Sequence, residues 1–230
     1  MHFKLFLPLI IALRLPTGEP LAPQHIVERV SMLMNELETS DSVEANSTPL
    51  LPFENEIERA ANEQHIPAAL IAGIIQEESR FDAWAERVEL AYQKNVRVRH
   101  AAAKWAGEHA NTPSYQTELT DRSRSMGLMQ VMGEVAREQG FTARYLSQLF
   151  EPAHSIAEGS KLLRTLLDRY PGDTLAAISA YNQGSARRKH SRSSRYKRGA
   201  FLNARYVYRV VIAWRAYKRL FDIERGRNDQ

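Results

Sequence analysis

Glu78 is the residue of this chain best placed for acid–base chemistry. It follows Leu70, Ile71, Ile74 and Ile75, whose spacing at i, i+1, i+4 and i+5 is that of a helix face turned toward a core. Four positions after Ile74 and three after Ile75, Glu78 continues that face into the polar helix end Gln76-Glu77-Glu78-Ser79. A carboxyl group in poorly solvated surroundings keeps its proton to higher pH. It can then deliver that proton near neutrality to a leaving oxygen, as breaking a glycosidic bond requires. Glu77, about 100° further round the helix, is expected in water. Taken alone, a glutamate at a helix end reads as a surface residue, so the rest of the chain must decide.

Four motifs occur in order: Glu78-Ser79-x-Phe81, Gly127-Leu128-Met129-Gln130-Val131-Met132, Ala180-Tyr181-Asn182-Gln183-Gly184, and Tyr206-Val207. Each is weak separately; as an ordered set they are specific. Over roughly residues 55–220 the sequence resembles the soluble lytic transglycosylase family, relatives of goose-type lysozyme. The resemblance implies a lysozyme-like fold, peptidoglycan glycan strands as substrate, and Glu78 as the single catalytic acid/base. Gln130 and Met132 would line the glycan groove, Tyr181 and Asn182 would lie near the carboxyl and substrate, and Tyr206 would approach Glu78. Tyrosine suits such a place because its ring desolvates the acid while its hydroxyl orients it. The amides of Gln130 and Asn182 can bond N-acetyl groups. In the family's reaction the bond between N-acetylmuramic acid and N-acetylglucosamine is broken, and the muramyl 6-hydroxyl closes an anhydro ring. No cofactor is implied.

Structural readings stand beside these. Met129 and Met132 fit a core equally well, and Tyr206 lies among aromatic residues at helical spacing, where packing is the ordinary role. Hydrolysis in place of transglycosylation would call for a base to activate water; Asp82, Glu86, Glu89 and Asp121 are candidates that spacing does not separate. A catalytically idle wall-binding component of an envelope or phage machine is the reading from a different class.

The sequence departs from the family at several points. Compact members join the Glu-Ser pair to Gly-Leu-Met-Gln by a short loop, whereas this chain carries an insertion over about 83–120, as in some longer phage-associated members. The insertion contains Trp84 and Trp105, which either stack on sugars or anchor it to the core. Arg124-Ser125 stands where Gly-Ala is usual, Gly133 where proline follows the second methionine, and Ser155 where asparagine is expected.

The elements that must position these residues are almost all helical. Helices are expected at 24–38, 53–65, onward from Pro67, and at 87–109, 133–139, 154–170, 173–182 and 201–221. Gly140, Pro171-Gly172 and Gly184 mark breaks. The fold class is mainly α: a lysozyme-like transglycosylase domain with a helical insertion over 53–222, preceded by an N-terminal segment 1–52 with a Ser/Pro-rich linker at 40–52, and followed by a tail at 223–230.

Composition adds limits. Without cysteine, neither disulfides nor thiolate metal sites are available, and the seven histidines lack zinc-hydrolase spacing, so no metal is expected. The net charge of +4 is too small to imply nucleic acid. Its concentration in the acid-free run 187–198 is either a solvated loop or a hold on anionic wall polymer or a partner assembly. The apolar stretch Leu5 to Leu13 is too short to span a membrane, which takes roughly 17 residues. It reads either as the core of an export signal or as a packed N-terminal segment. The expected location is the cell envelope or a phage particle.

Overall fold

The computed structural model describes residues 51–108, 113–186 and 201–228, with side chains to 222. The expected 24–38 helix, the apolar N-terminal stretch and the basic run 187–198 lie outside the described residues.

Helix α1 (Glu54–Gln64) opens with Glu54 and Glu56, favourable charges at a helix N-terminus. Its chain reverses at His65, in the left-handed region at φ 52°. Pro67 follows, capping α2 (Ala68–Glu78) with its carbonyl, which accepts from Leu70 N at 2.9 Å. Every α2 residue from Ala69 through Ile75 is buried, so this helix is the axle of the core. Across it lies the last helix, α9 (Ala204–Asn228). Gly73 makes that approach close: a Cβ there would sit 2.9 Å from the backbone nitrogen of Trp214.

The chain between α2 and the Gly-Leu-Met-Gln motif differs from the single helix expected at 87–109. Residues Glu86–Val88 form strand β1, followed by a short helix α3 (Leu90–Gln93) and then α4 (Val96–Glu108). Two bonds, one distant and one local, cause the break. Glu89 N donates to Ser123 O at 2.8 Å, continuing the strand pairing, and Asn95 Oδ1 accepts from Arg97 N at 2.9 Å, starting α4 afresh. Strand β2 (Arg124–Met126) pairs antiparallel with β1 on one side and with β3 (Val131–Met132) on the other. Leu128 and Met129, in the turn between β2 and β3, are wholly buried, so this hairpin drives its tip into the core.

After α5 (Tyr115–Arg122) and this hairpin come α6 (Gly133–Glu138), a 3-10 turn (Leu146–Phe150), α7 (Pro152–Arg169) and α8 (Thr174–Gln183). These fall close to the expected spans. Pro152 occupies the tolerated first turn of α7, Asp173 caps α8 by accepting from Ala176 N at 2.9 Å, and Gly184 closes it at φ 72°. The molecule is mainly α, with the small sheet at the base of the insertion.

The insertion is held by buried charge. Glu118 of α5, fully buried, accepts from Arg122 Nε at 3.0 Å and from Arg137 Nε at 2.9 Å, while Arg122 Nη1 reaches Glu134 Oε2 at 2.7 Å. Two guanidinium and two carboxylate groups thus neutralise one another between α5 and α6. Arg137 also donates to the carbonyls of Phe141 and Ala143, both at 2.7 Å, and its guanidinium lies 3.7 Å from the Trp105 ring centroid. Trp105 is therefore an anchor of the insertion. Removing one partner from such a set leaves buried charge uncompensated. Glu118→Gln is expected to lower unfolding free energy by about 3 kcal/mol, measured by urea denaturation.

Candidate active site

Glu78 is the final residue of α2, and the local chain is built to stop the helix there. The Ile75 carbonyl accepts from Ser79 N (3.0 Å), Ser79 Oγ (3.2 Å) and Arg80 N (3.1 Å). The next two residues, Arg80 and Phe81, both take left-handed backbone at φ 55° and 64°, a conformation costing non-glycine residues about 1 kcal/mol or more each. Phe81 packs edge-on against Tyr217 of α9 at 6.0 Å, and the Tyr217 hydroxyl donates to Gln76 Oε1 at 2.8 Å. Ser79 seals the helix and Phe81 pins the turn beyond it, leaving Glu78 at a fixed edge.

The Glu78 carboxyl is mostly withdrawn from water, and Tyr206 donates its hydroxyl to Oε1 at 2.7 Å. Burial pushes the Glu78 pKa up to about 7, against the lowering effects of the Tyr206 hydrogen bond and the Arg87 charge on β1; the Glu77 charge adds to the rise. At neutral pH the group therefore exists in both protonation states. Burial, with the Glu78 charge, holds the Tyr181 and Tyr206 phenols well above their ordinary pKa, so both stay neutral.

Glu77 is not in water, contrary to expectation. Arg209, three positions after Tyr206 on α9, pairs with it, and the Glu77 side chain is only 14% exposed. Desolvation raises its pKa, opposed by Arg209. Helix α9 thus meets both glutamates, giving one a phenol and the other a guanidinium.

Tyr181 donates to Met129 O at 2.9 Å, while the buried Ser155 hydroxyl accepts from Met129 N at 3.0 Å. Met129 is clamped by both backbone groups and is core. Gly159 makes room for this: a Cβ there would lie 2.5 Å from the Met129 side chain and 2.9 Å from the Tyr181 hydroxyl oxygen. Ser155 thus serves as a hairpin support, and Gly127 fits beneath it at φ 74°, where a Cβ would collide with the Leu149 carbonyl oxygen.

The other expected site residues have different surroundings. Gln130, at φ 49°, donates Nε2 to Ala85 O at 2.7 Å and to Gly127 O at 2.9 Å, so its amide straps the insertion to the hairpin and leaves Oε1 as its remaining polar atom. Met132 is partly exposed at the start of α6. Asn182 Oδ1 accepts from Asn203 Nδ2 at 3.1 Å; Asn203 also donates to Ser179 O at 3.0 Å and accepts from Ser179 Oγ at 2.7 Å. Among the described residues no hydrogen bond joins Gln130, Met132 or Asn182 to Glu78. Sequence reasoning had no signal for Asn203, because its partners Ser179 and Asn182 lie more than twenty positions away on α8.

Of the four carboxylates considered as hydrolytic bases, Asp82 accepts from Trp84 N at 2.9 Å, Glu86 pairs with Arg124 at 3.3 Å, and Glu89 pairs with Arg87 at 2.7 Å. Asp121 is half-buried, with its pKa raised chiefly by burial. Among the described residues no group of three or more His, Asp or Glu is gathered as a metal site.

The fold is mainly α, and at the end of its central helix a largely desolvated carboxyl accepts a tyrosine hydrogen bond. Residues 55–203 match the Transglycosylase SLT domain, and the chain belongs to that family. Members are lytic transglycosylases, which act on the peptidoglycan of the cell wall. Among the described residues no helix is long and apolar enough to cross a membrane.

The raised acid has a measurable consequence. Because the folded pKa of Glu78 lies above the unfolded value of 4.5, the unfolded chain ionises first as pH rises, and stability is lost between about 4.5 and 7. Glu78→Gln removes that loss. Its stability relative to wild type is expected to climb across this window by about 3 kcal/mol and then level off, read from denaturation midpoints at several pH values. Carboxyl NMR of Tyr206→Phe or Arg87→Gln should show Glu78 titrating at higher pH than in wild type.

Proposed function

We propose that this protein cleaves the β-1,4 bond between N-acetylmuramic acid and N-acetylglucosamine in peptidoglycan, leaving anhydromuramyl ends, with Glu78 as its single acid/base. The observation that carries the proposal is the Glu78 carboxyl, poised near pH 7 by burial and held at 2.7 Å by the Tyr206 hydroxyl. A general acid and base in one group works best when its pKa lies near the working pH.

In this reading protonated Glu78 gives its proton to the glycosidic oxygen as the muramyl C1–O bond breaks, releasing the N-acetylglucosamine 4-hydroxyl. Positive charge develops at C1 while the new carboxylate keeps the Tyr206 hydrogen bond. The muramyl 6-hydroxyl then bonds to C1 and passes its proton to Glu78, which returns to its starting state. No water is consumed. Attack from within the substrate has a high effective molarity, and a second carboxylate has no task. The pairing of Asp82, Glu86 and Glu89 with other groups agrees with that economy.

Tyr181 and Tyr206, both neutral, keep the acid desolvated and oriented. Asn182, whose oxygen is taken by Asn203, has its N–H groups left for an N-acetyl carbonyl. Gln130 contributes Oε1 as an acceptor and Met132 a flexible apolar wall. The place of action is the cell envelope, reached by export or carried in a phage particle, with the basic run 187–198 as a hold on anionic wall polymer.

Purified sacculi treated with wild type are expected to yield muropeptides with anhydromuramyl ends by mass spectrometry. Glu78→Gln should be slower by about a thousandfold. Reducing ends would instead mean hydrolysis, and equal clearing by both proteins would remove Glu78 from the chemistry.

A further inference from the structure

The two tryptophans of the insertion have different surroundings. Trp105 is engaged by Arg137 at 3.7 Å. Trp84 is 76% exposed, more than any other large hydrophobic side chain among the described residues. It stacks on Phe150, with ring centroids 5.5 Å apart and planes inclined by 28°. Stacking on one side leaves the opposite face of the indole open.

The backbone beneath Trp84 is fastened at both ends. Its own N–H donates to Asp82 Oδ1 at 2.9 Å, and Ala85 N donates to Asp82 O at 3.2 Å. Ala85 O receives both Gly127 N at 3.0 Å and Gln130 Nε2 at 2.7 Å. Two tight turns in succession, closed by Asp82 N to Ser79 O at 3.1 Å and by Ala85 N to Asp82 O, link the end of the Glu78 helix to this ring. Each such turn spans less than about 7 Å, so the ring lies within a few sugar lengths of the carboxyl. The arrangement is pre-formed, so a ligand would not have to order it.

We infer that the open face of Trp84, backed by Phe150, is the platform for a sugar ring of the glycan strand at a subsite away from the cleaved bond. The inference rests on the glycan-cleaving function proposed above and adds to it a residue that reads strand length. The chemistry fits a pyranose: one side of the ring offers polarised C–H groups to the negative face of an indole, and the equatorial hydroxyls stay in water. Neighbouring exposed Asp82 and Glu86 can accept from those hydroxyls. An anchoring role alone would cover the indole on both faces, as a buried tryptophan is covered; here only one is used.

The test is steady-state cleavage of soluble, peptide-stripped glycan strands of graded length by the full chain, as wild type, Trp84→Ala, Trp84→Phe and Glu78→Gln. Covering one indole face removes about 60 Å² of apolar surface from water, which corresponds to about a tenfold change in affinity. Trp84→Ala is expected to raise KM about tenfold on long strands with kcat nearly unchanged, and to leave the shortest cleavable strands unaffected. Trp84→Phe should recover most of the loss, and the melting temperatures of both variants should match wild type. An unchanged KM on long strands overturns the inference, as does an equal change on long and short ones. Either result leaves the Glu78 assignment standing. Equal rates for wild type and Glu78→Gln would instead sink the functional reading and the platform with it.

Discussion

The hydrogen bond from Tyr206 to Glu78 depends on how closely α9 lies against α2. The two partners are far apart in sequence, one at the end of the buried helix and one near the start of the last. They meet because Gly73 lets the Trp214 backbone approach where any side chain would intrude. The same contact brings Arg209 to Glu77 and Tyr217 to Gln76. One close helix crossing therefore sets the polarity of the whole α2 terminus. It removes water from the acid, supplies a neutral donor, and answers the neighbouring charge with a cation. The Glu78 pKa is raised by burial, and the hydrogen bond that the crossing supplies through Tyr206 offsets part of that rise.

Opposite this crossing, the β2–β3 turn has its own supports. Met129 is fixed through its nitrogen by Ser155 and through its oxygen by Tyr181, with Gly159 and Gly127 giving the required space. Tyr181 of α8 bonds to Met129 of the hairpin and lies near enough to Glu78 to feel its charge. The insertion joins through the Gln130 amide and through the four buried charges of Glu118, Arg122, Glu134 and Arg137. The Glu78 helix thus stands next to a composite wall, part family hairpin and part insertion.

Much of this was legible in the sequence. The apolar stripe of α2, the proline and glycine punctuation, and the ordered motifs identify a mainly α domain and single out Glu78 and Tyr206. The illegible parts share a physical cause, which is that they depend on contacts between segments distant in the chain. Periodicity made 87–109 a helix because the pairing of Glu86–Val88 with Arg124–Met126 has no local signature. Glu77 read as solvated because helical geometry says which way a side chain points, not what lies there. The two bonds that Gln130 Nε2 makes, to Ala85 O and Gly127 O, had no sequence signal, because the folded turn brings those carbonyls to it. Asn203 had no signal at all, since nothing in one dimension announces Ser179 or Asn182.

Gly133 carries the mark of such coupling. A Cβ there would collide with the carbonyl oxygen of Asp121, just past the inserted segment. A side chain at this position would press on the end of α5, the helix whose Glu118 and Arg122 carry the buried charges. The fit of α5 against the start of α6 is thus set by backbone against backbone, and the charge set that fastens the insertion keeps its short distances only while position 133 stays bare.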